Sequence, residues 1–208
     1  MSDVVKVKLG HRTPLYGVGI NDADYVVQIR ETLSGTGNKR KRKTVWVCPF
    51  YYRWSAMLTR CYSKTSAKRR PKYVESYVCD EWLLFSNFKA WMQTQDWEGK
   101  QLDKDLLVEN NKVYSPEMCL FVTPDVNVFM TEHKVTKGAL PVGVHLHTIN
   151  LNFIASISIN GKRKHLGSYD TPEEAHLVWK AAKKEQALYL ASIQDCPITS
   201  AALIEKYS

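Results

Sequence analysis

The stretch Leu102-Asp103-Lys104-Asp105-Leu106-Leu107 places two carboxylates among apolar residues, halfway along a chain of 208 residues. It predicts a strand over residues 102–108 that enters a turn at residues 109–111. Residues 112–114 then return as a second strand, which makes a hairpin. We take this stretch as the chemical centre of the chain.

A helix is predicted shortly after this hairpin, beyond a turn at Ser115-Pro116-Glu117 and a short strand over residues 119–123. Thr123 can cap this helix, Pro124 suits its first position, and Asp125 favours the positive end of its dipole. Asn127 then lies in the first turn and faces back toward the hairpin.

Asp103 and Asn127 together predict a small cage of oxygen ligands for one hard divalent cation, Mg²⁺ or Mn²⁺. One such metal can stabilise the pentavalent phosphate and the leaving 3′ oxygen during phosphodiester cleavage. The alternative is that Asp103 and Asp105 are surface acids, which is the usual meaning of two acids in a D-x-D pattern.

The net charge is +8, and its placement is uneven. Between Thr32 and Val74 there are twelve lysines and arginines and no acid. Such a segment favours binding of a phosphate backbone, because each neutralised phosphate releases counterions. Residues 31–43 are predicted to be a flexible hairpin tip or loop that orders against DNA or RNA; the alternative is a solvated loop or a localisation-like tag. The basic run is Lys39, Arg40, Lys41, Arg42 and Lys43.

Two helical stretches follow the basic run, separated by a predicted basic loop over residues 64–72. Their apolar side chains recur at helical spacing, which indicates a packed core rather than platforms for base stacking. The first face is Trp54, Met57, Leu58 and Cys61, and the second is Trp82, Phe85, Phe88 and Met92.

A second pattern begins after a polar linker over residues 131–140. Residues 152–159 alternate between apolar and polar side chains, as in a half-exposed strand, and Asn160-Gly161 suits a tight turn into a basic strand from Lys162. Thr171-Pro172-Glu173-Glu174 is a capping box that opens a helix. The apolar face of that helix is Ala175, Val178, Trp179 and Ala182.

These patterns predict an α+β chain with four segments. Residues 1–45 hold two or three short strands and the basic loop, and residues 46–136 form the module around Asp103. Residues 137–192 form a three-stranded antiparallel sheet with a helix, and residues 193–208 form a tail that is a packed helix or a dimer contact.

Neither a signal peptide nor an apolar run long enough to span a membrane is present, so we expect a cytoplasmic protein. The five cysteines include no C-x-x-C pair, which favours buried reduced thiols. A zinc site assembled from Cys61, Cys79 and Cys119 is the alternative.

The chain resembles phage HNH-type endonucleases of the homing-enzyme kind over most of residues 16–130. The resemblance rests on five segments: residues 16–22 (YGVGIND), 52–62 (YRWSAMLTRCY), 78–82 (VCDEW), 102–105 (LDKD) and 114–117 (YSPE). It implies a small ββα-metal nuclease module that binds Mg²⁺ or a similar cation.

Position by position, the resemblance makes Asp103 the first metal ligand and Asn127 the ligand on the helix. The position of the general base is Lys104, and that of the asparagine that orients the base is Met118. Lysine is a phosphate clamp rather than a proton acceptor, so the alternatives for the base are Asp105, His133 and a metal-bound hydroxide.

Residues 143–175 resemble the Apetala-type (ethylene-response-factor) DNA-binding domain, which lays one face of its sheet in a DNA groove. This implies double-stranded DNA as the partner. The positions that face the groove by this resemblance are His145, His147, Asn152, Ser156, Ser158, Arg163 and His165.

The sequence therefore predicts a metal-dependent endonuclease that nicks or cleaves duplex DNA under the direction of a carboxy-terminal module. In that prediction Lys104 contacts the scissile phosphate. The resemblance to phage enzymes implies that the protein acts in the cytoplasm of an infected bacterial cell. The rival hypothesis is a non-catalytic DNA-binding or host-takeover protein on the same frame, with a host protein as a possible partner. The sequence leaves the oligomeric state open.

Overall fold

The computed structural model describes residues 13–36, 41–69, 73–131, 140–159 and 161–208. These residues form a mixture of helices and small sheets, as the α+β prediction requires. The elements are β1 (Gln28–Ser34), β2 (Lys41–Val47), α1 (Pro49–Tyr62), α2 (Lys64–Arg69), β3 (Tyr77–Val78), a 3-10 turn (Asp80–Leu83), α3 (Phe85–Gln93), β4 (Gln101–Asp103), β5 (Val113–Tyr114), β6 (Leu120–Val122), α4 (Pro124–Met130), β7 (Val144–Leu146), β8 (Phe153–Ile159), β9 (Lys162–Tyr169), α5 (Pro172–Ser192) and α6 (Pro197–Tyr207).

The chain divides into two compact units that are interleaved in sequence. The first unit comprises the described residues of Met1–Trp97 and Val108–Leu120, and the second those of Glu98–Leu107 and Phe121–Ser208. The boundary predicted after residue 136 falls within residues 132–139, outside the described residues.

The first unit has its core between α1 and the segment that ends in α3. The side chains of Trp54 and Trp82 are fully buried, and the indole nitrogen of Trp54 donates to the carbonyl oxygen of Trp82 at 2.7 Å. Packing of this kind confirms the predicted core role of the two helical faces. Its remaining buried members are Met57, Leu58, Phe85, Phe88 and Met92, while Cys61 is only partly buried.

The hairpin predicted around residues 109–111 is wrong. β4 ends at Asp103, because the carboxylate of Asp103 folds back onto the next turn of backbone. β5 pairs in parallel with β3, in the register Tyr77 to Val113 and Val78 to Tyr114. Since such a pairing joins segments far apart in sequence, local turn signals could not reveal it.

Two other local predictions need correction. The basic loop predicted over residues 64–72 is helical over Lys64–Arg69, and the hydroxyl of Ser63 accepts from the amide of Ser66 at 3.3 Å at its start. Residues 70–72 lie outside the described residues. Of the strands predicted in residues 1–30, the described part contains two isolated bridges, of Leu15 with Gly19 and of Ile20 with Leu84, and the start of β1.

The second unit contains the predicted three-stranded antiparallel sheet, in the order β7-β8-β9. Helix α5 covers one face of it, where Val144, Ala155 and Ala175 are buried together. The hydroxyl of Thr171 accepts from the amide of Glu174 at 3.2 Å, which confirms the predicted cap. α6 packs against α5 and buries Leu203 completely, so the predicted tail is a packed helix.

The sheet has one irregularity that the alternating pattern does not show. A register shift between Ala155 and Ser156 interrupts the pairing of β8 with β9. Ser156 is buried, although its place in the alternation predicted an exposed side chain, whereas Ser158 is exposed as predicted. Asn160, the first residue of the predicted turn, lies outside the described residues.

Substitution of Gly143 by alanine should lower the free energy of unfolding by about 3 kcal/mol. A methyl group there would lie 2.1 Å from Cγ of Trp179, and the backbone φ is +84°. Gly161→Ala is the matched control, because its φ is +73° with nothing within 4 Å of the added carbon, so it should cost about 1 kcal/mol. Urea unfolding of both variants measures the difference, and equal costs would contradict the packing argument.

No helix among the described residues is long and apolar enough to cross a membrane.

Candidate metal centre and nucleic-acid surfaces

Asp103 organises the turn that follows β4. Its Oδ1 atom accepts hydrogen bonds from the backbone amides of Asp105 at 2.9 Å and Leu106 at 2.8 Å. Burial raises the pKa of Asp103 above its usual range, and the charge of Asp105 adds to this, although the two amides and Lys104 oppose it. The carboxylate is therefore held in one orientation at some cost in desolvation.

Asn127 lies where the sequence predicts, in the first half of a capped helix. Thr123 caps α4 by accepting from the amide of Val126 at 3.4 Å, and Pro124 and Asp125 occupy its first turn. The side-chain amide nitrogen of Asn127 donates to Oε1 of Gln101 at 2.5 Å. Asn127 is thereby attached to β4.

Gln101 links Asn127 to Asp103 through the geometry of the strand. Gln101 and Asp103 are two residues apart on β4, so their side chains lie on the same face. Leu102, between them, is buried on the other face. The structure thus brings Asp103 and Asn127 to the same side of β4.

Lys104 occupies a different environment from that of a phosphate clamp. Its side chain is 5% exposed, and its ammonium group forms an ion pair with Asp105 at 2.5 Å. An ion-paired, buried ammonium group is neither a proton acceptor nor available to a phosphate in solvent. The predicted contact of Lys104 with the scissile phosphate is therefore not supported, whereas Asp105 is 43% exposed.

The other two positions of the HNH resemblance add little to the site. Met118 lies in the turn before β6 and is partly buried. His133 lies outside the described residues.

Two lysines that sequence reasoning missed hold the elements of this site. The ammonium group of Lys206, on α6, donates to the carbonyl oxygen of Asp105 at 3.3 Å. That of Lys183, on α5, donates to the carbonyl oxygen of Phe129 at 2.5 Å, two residues after Asn127 on α4. The two helices of the carboxy-terminal segment therefore fix both the Asp103 turn and α4.

Lys183 is itself buried, with 8% of its surface exposed. Its ammonium group lies 3.8 Å from the ring centre of Phe129, 5.5 Å from that of Tyr207 and 5.9 Å from that of Trp179. A signal for this position existed, because Lys183 follows Trp179 by four residues and Ala175 by eight and thus lies on the apolar face of α5.

Within the described ranges, no group of three or more histidine, cysteine or acidic side chains is placed to hold a metal ion. The alternative zinc site of Cys61, Cys79 and Cys119 thus has no support, since all three residues are described. Cys119 is buried, and burial raises the pKa of the Cys79 thiol.

The carboxy-terminal sheet gathers four of its predicted DNA-binding residues. Partial burial lowers the pKa of His145, and the charges of Arg163, His165 and His147 lower it further. His145 lies on β7, and Arg163 and His165 lie on β9 of the same sheet. Asn152 is partly buried at the β7–β8 connection, where its carbonyl oxygen accepts from the amide of His147 at 2.8 Å.

The described part of the amino-terminal basic run belongs to a strand that pairs with β1, in a segment that the sequence predicted to be a flexible hairpin tip or loop. Lys41, Arg42 and Lys43 are exposed residues of β2. Lys39 and Arg40 lie outside the described residues.

The fold and these sites define an α+β chain with two basic surfaces, and with a carboxylate and a side-chain amide on the same side of one short strand. No protein-family model, curated protein or solved structure matches the chain.

Proposed function

We propose that the chain is a metal-dependent endonuclease acting on duplex DNA. The observation that carries the proposal is the hydrogen bond between Asn127 and Gln101, which joins α4 to the face of β4 that holds Asp103. A strand and a capped helix then hold the Asp103 carboxylate and the Asn127 amide on the same side of β4.

The donor set fits Mg²⁺ or Mn²⁺. Both are hard cations that take oxygen ligands, and Mg²⁺ is often bound by one or two carboxylates with substrate phosphate and water completing its shell. Asp103 and Asn127 would hold the cation, which when bound supplies charge stabilisation for the phosphate undergoing cleavage. Oδ1 of Asp103 is already oriented by two backbone amides.

Asp105 is the remaining acid of the site and the best candidate for the proton acceptor among the described residues. It follows Asp103 by two residues and is 43% exposed, so a water molecule can reach it. Lys104 holds this carboxylate in place through their ion pair and takes no part in proton transfer.

DNA binding is supported by the two basic surfaces. The β2 strand carries three consecutive cations, and the exposed β9 strand carries Lys162, Arg163, Lys164 and His165. Contacts of both with phosphates would give an affinity that falls steeply as salt is raised.

A second function, DNA binding without cleavage, is favoured by one observation. The residue at the position of the general base, Lys104, is buried in an ion pair. A chain that no longer cleaved DNA would tolerate a buried lysine at this position. Its function would then be DNA binding through the two basic surfaces.

Incubation of supercoiled plasmid with the full chain distinguishes the two functions. We expect conversion to open circles with Mn²⁺ or Mg²⁺ and none with EDTA. A bound cation should also stabilise the fold by about 2.7 kcal/mol at a concentration 100 times its dissociation constant, which thermal melting measures. Plasmid that is bound but stays intact, with no shift in melting on adding metal, would establish the second function instead.

A further inference from the structure

Strands β1 and β2 form a two-stranded antiparallel sheet. Every residue of the two strands is exposed to solvent except the partly buried Gln28 and Val47 at the base. Burial of a core among the described residues therefore does not account for this ribbon, although its strands are each seven residues long, about 24 Å.

The pairing register assigns the side chains of the ribbon to two different faces. Arg30 lies opposite Thr44, and Thr32 lies opposite Arg42. Paired residues share a face and alternate residues of a strand return to it, so these four lie on one side. A hydrogen bond of 3.1 Å from the side-chain amide of Gln28 to the hydroxyl of Thr44 is consistent with this assignment.

The opposite face has a different composition. Ile29 lies opposite Trp46, and Glu31 lies opposite Lys43. Ile29 and Trp46 are 48% and 45% exposed. The two faces are thus chemically distinct: one presents arginines and hydroxyls, and the other an apolar pair beside a pair of opposite charges.

We infer that the β1–β2 ribbon enters the major groove of duplex DNA and reads base edges with Arg30, Thr32, Arg42 and Thr44. A two-stranded ribbon fits the major groove, which is about 12 Å wide and in which each base pair presents a distinct pattern of donors and acceptors. Arginine donates a bidentate pair of hydrogen bonds to O6 and N7 of guanine, and threonine contacts base edges or the thymine methyl group. The inference rests on the proposed action on DNA and adds how the sequence is selected.

Charge decides between DNA and the other possible occupants of the ribbon. The two strands carry Arg30, Lys41, Arg42 and Lys43 against the single acid Glu31. Such a density of cations opposes edge-to-edge pairing with a second copy of the chain. Duplex RNA is disfavoured as well, because side chains cannot read its deep and narrow major groove.

The test uses the full chain in EDTA, so that binding is measured without cleavage. Bound duplexes are selected from a random-sequence library and sequenced for the wild type and two variants. Arg42→Lys keeps the charge but loses the bidentate guanidinium donor, so the preference for one base over the others at one base pair should fall by about 10-fold or more. Lys43→Ala, on the opposite face, removes one positive charge and no base contact, so it should weaken binding to all sequences by the same factor and leave the base preference unchanged.

The groove is tested on the selected duplex with the same three proteins. Wild-type chain should protect guanine N7 from dimethyl sulfate, because that atom lies in the major groove, and a minor-groove ligand such as netropsin should not displace the chain. The melting temperatures of both variants should match that of the wild type, since the exposed ribbon packs against no core.

Any of five results would overturn the inference. The first three concern base preference: the wild type shows none, the Arg42→Lys variant keeps the full wild-type preference, or the Lys43→Ala variant loses as much preference as Arg42→Lys. The other two are displacement of the chain by netropsin and tighter binding of duplex RNA than of duplex DNA.

These results can be told apart from a failure of the proposed endonuclease activity. A chain that reads DNA through the ribbon but never nicks plasmid would retain this inference, and one that nicks with an unaltered Arg42→Lys preference would retain the enzyme.

Discussion

Substitution of Asp103 by asparagine should reduce metal-dependent nicking by at least about 100-fold while leaving the chain folded. Changes in residues that only support metal ligands cost 10- to 100-fold, and loss of the one charged ligand should cost at least as much. The asparagine side-chain oxygen can still accept from the amides of Asp105 and Leu106, so the turn after β4 should persist. Plasmid nicking rates measure the first effect, and circular dichroism the second.

The pH dependence of stability follows from the same carboxylate. Because burial raises the pKa of Asp103 in the folded chain, the folded state binds this proton more tightly than the unfolded state. The free energy of unfolding of the metal-free protein should therefore fall as pH rises from the ordinary aspartate pKa through the raised value. Asp103→Asn lacks this loss and should be at least as stable as wild type near neutral pH.

With metal bound, the wild type should become more stable than the Asp103→Asn variant. A cation requires the ionised carboxylate, so its stabilising effect should grow as pH rises through the same range. Asp125→Asn is the matched control, since Asp125 is an exposed acid of the first turn of α4, and its loss should cost only about 0.3–1 kcal/mol. Equal nicking by Asp103→Asn and wild type would refute the assignment of Asp103 as a metal ligand.

Lys183→Ala should lower the free energy of unfolding by about 4 kcal/mol. The substitution removes a long buried side chain packed against three aromatic rings and leaves the carbonyl oxygen of Phe129 without this donor. The cavity and the lost hydrogen bond both contribute. Urea unfolding at constant pH measures the change.

The neighbouring lysine provides the control for this variant. Lys184 is exposed, and its ammonium group lies 3.4 Å from a carbonyl oxygen at the end of α6, so Lys184→Ala should change stability by less than about 0.5 kcal/mol. Lys183→Met, which retains most of the buried volume, should be more stable than Lys183→Ala. Similar stabilities of the Lys183→Ala and Lys184→Ala variants would contradict the role of Lys183 in holding α4.

Local sequence signals predicted the helices other than α2, and the carboxy-terminal sheet of this chain. The apolar spacing that begins at Trp54 and the caps at Thr123 and Thr171 act over one or two turns of backbone, and the structure contains all of them. The strand after Gly161 was equally predictable from alternation and turn chemistry. These elements depend on residues that are only a few positions apart, so their place in the chain can be predicted from the sequence alone.

Tertiary structure alone decided the environment of the Leu102–Leu107 stretch. Its hairpin does not form, because β5 pairs with β3 and the Asp103 carboxylate ends β4. Lys104 is buried beside Asp105 rather than presented to a phosphate. A carboxylate and an ammonium group can each be solvated or buried and paired at the same position in sequence, and only the packing around them selects one state.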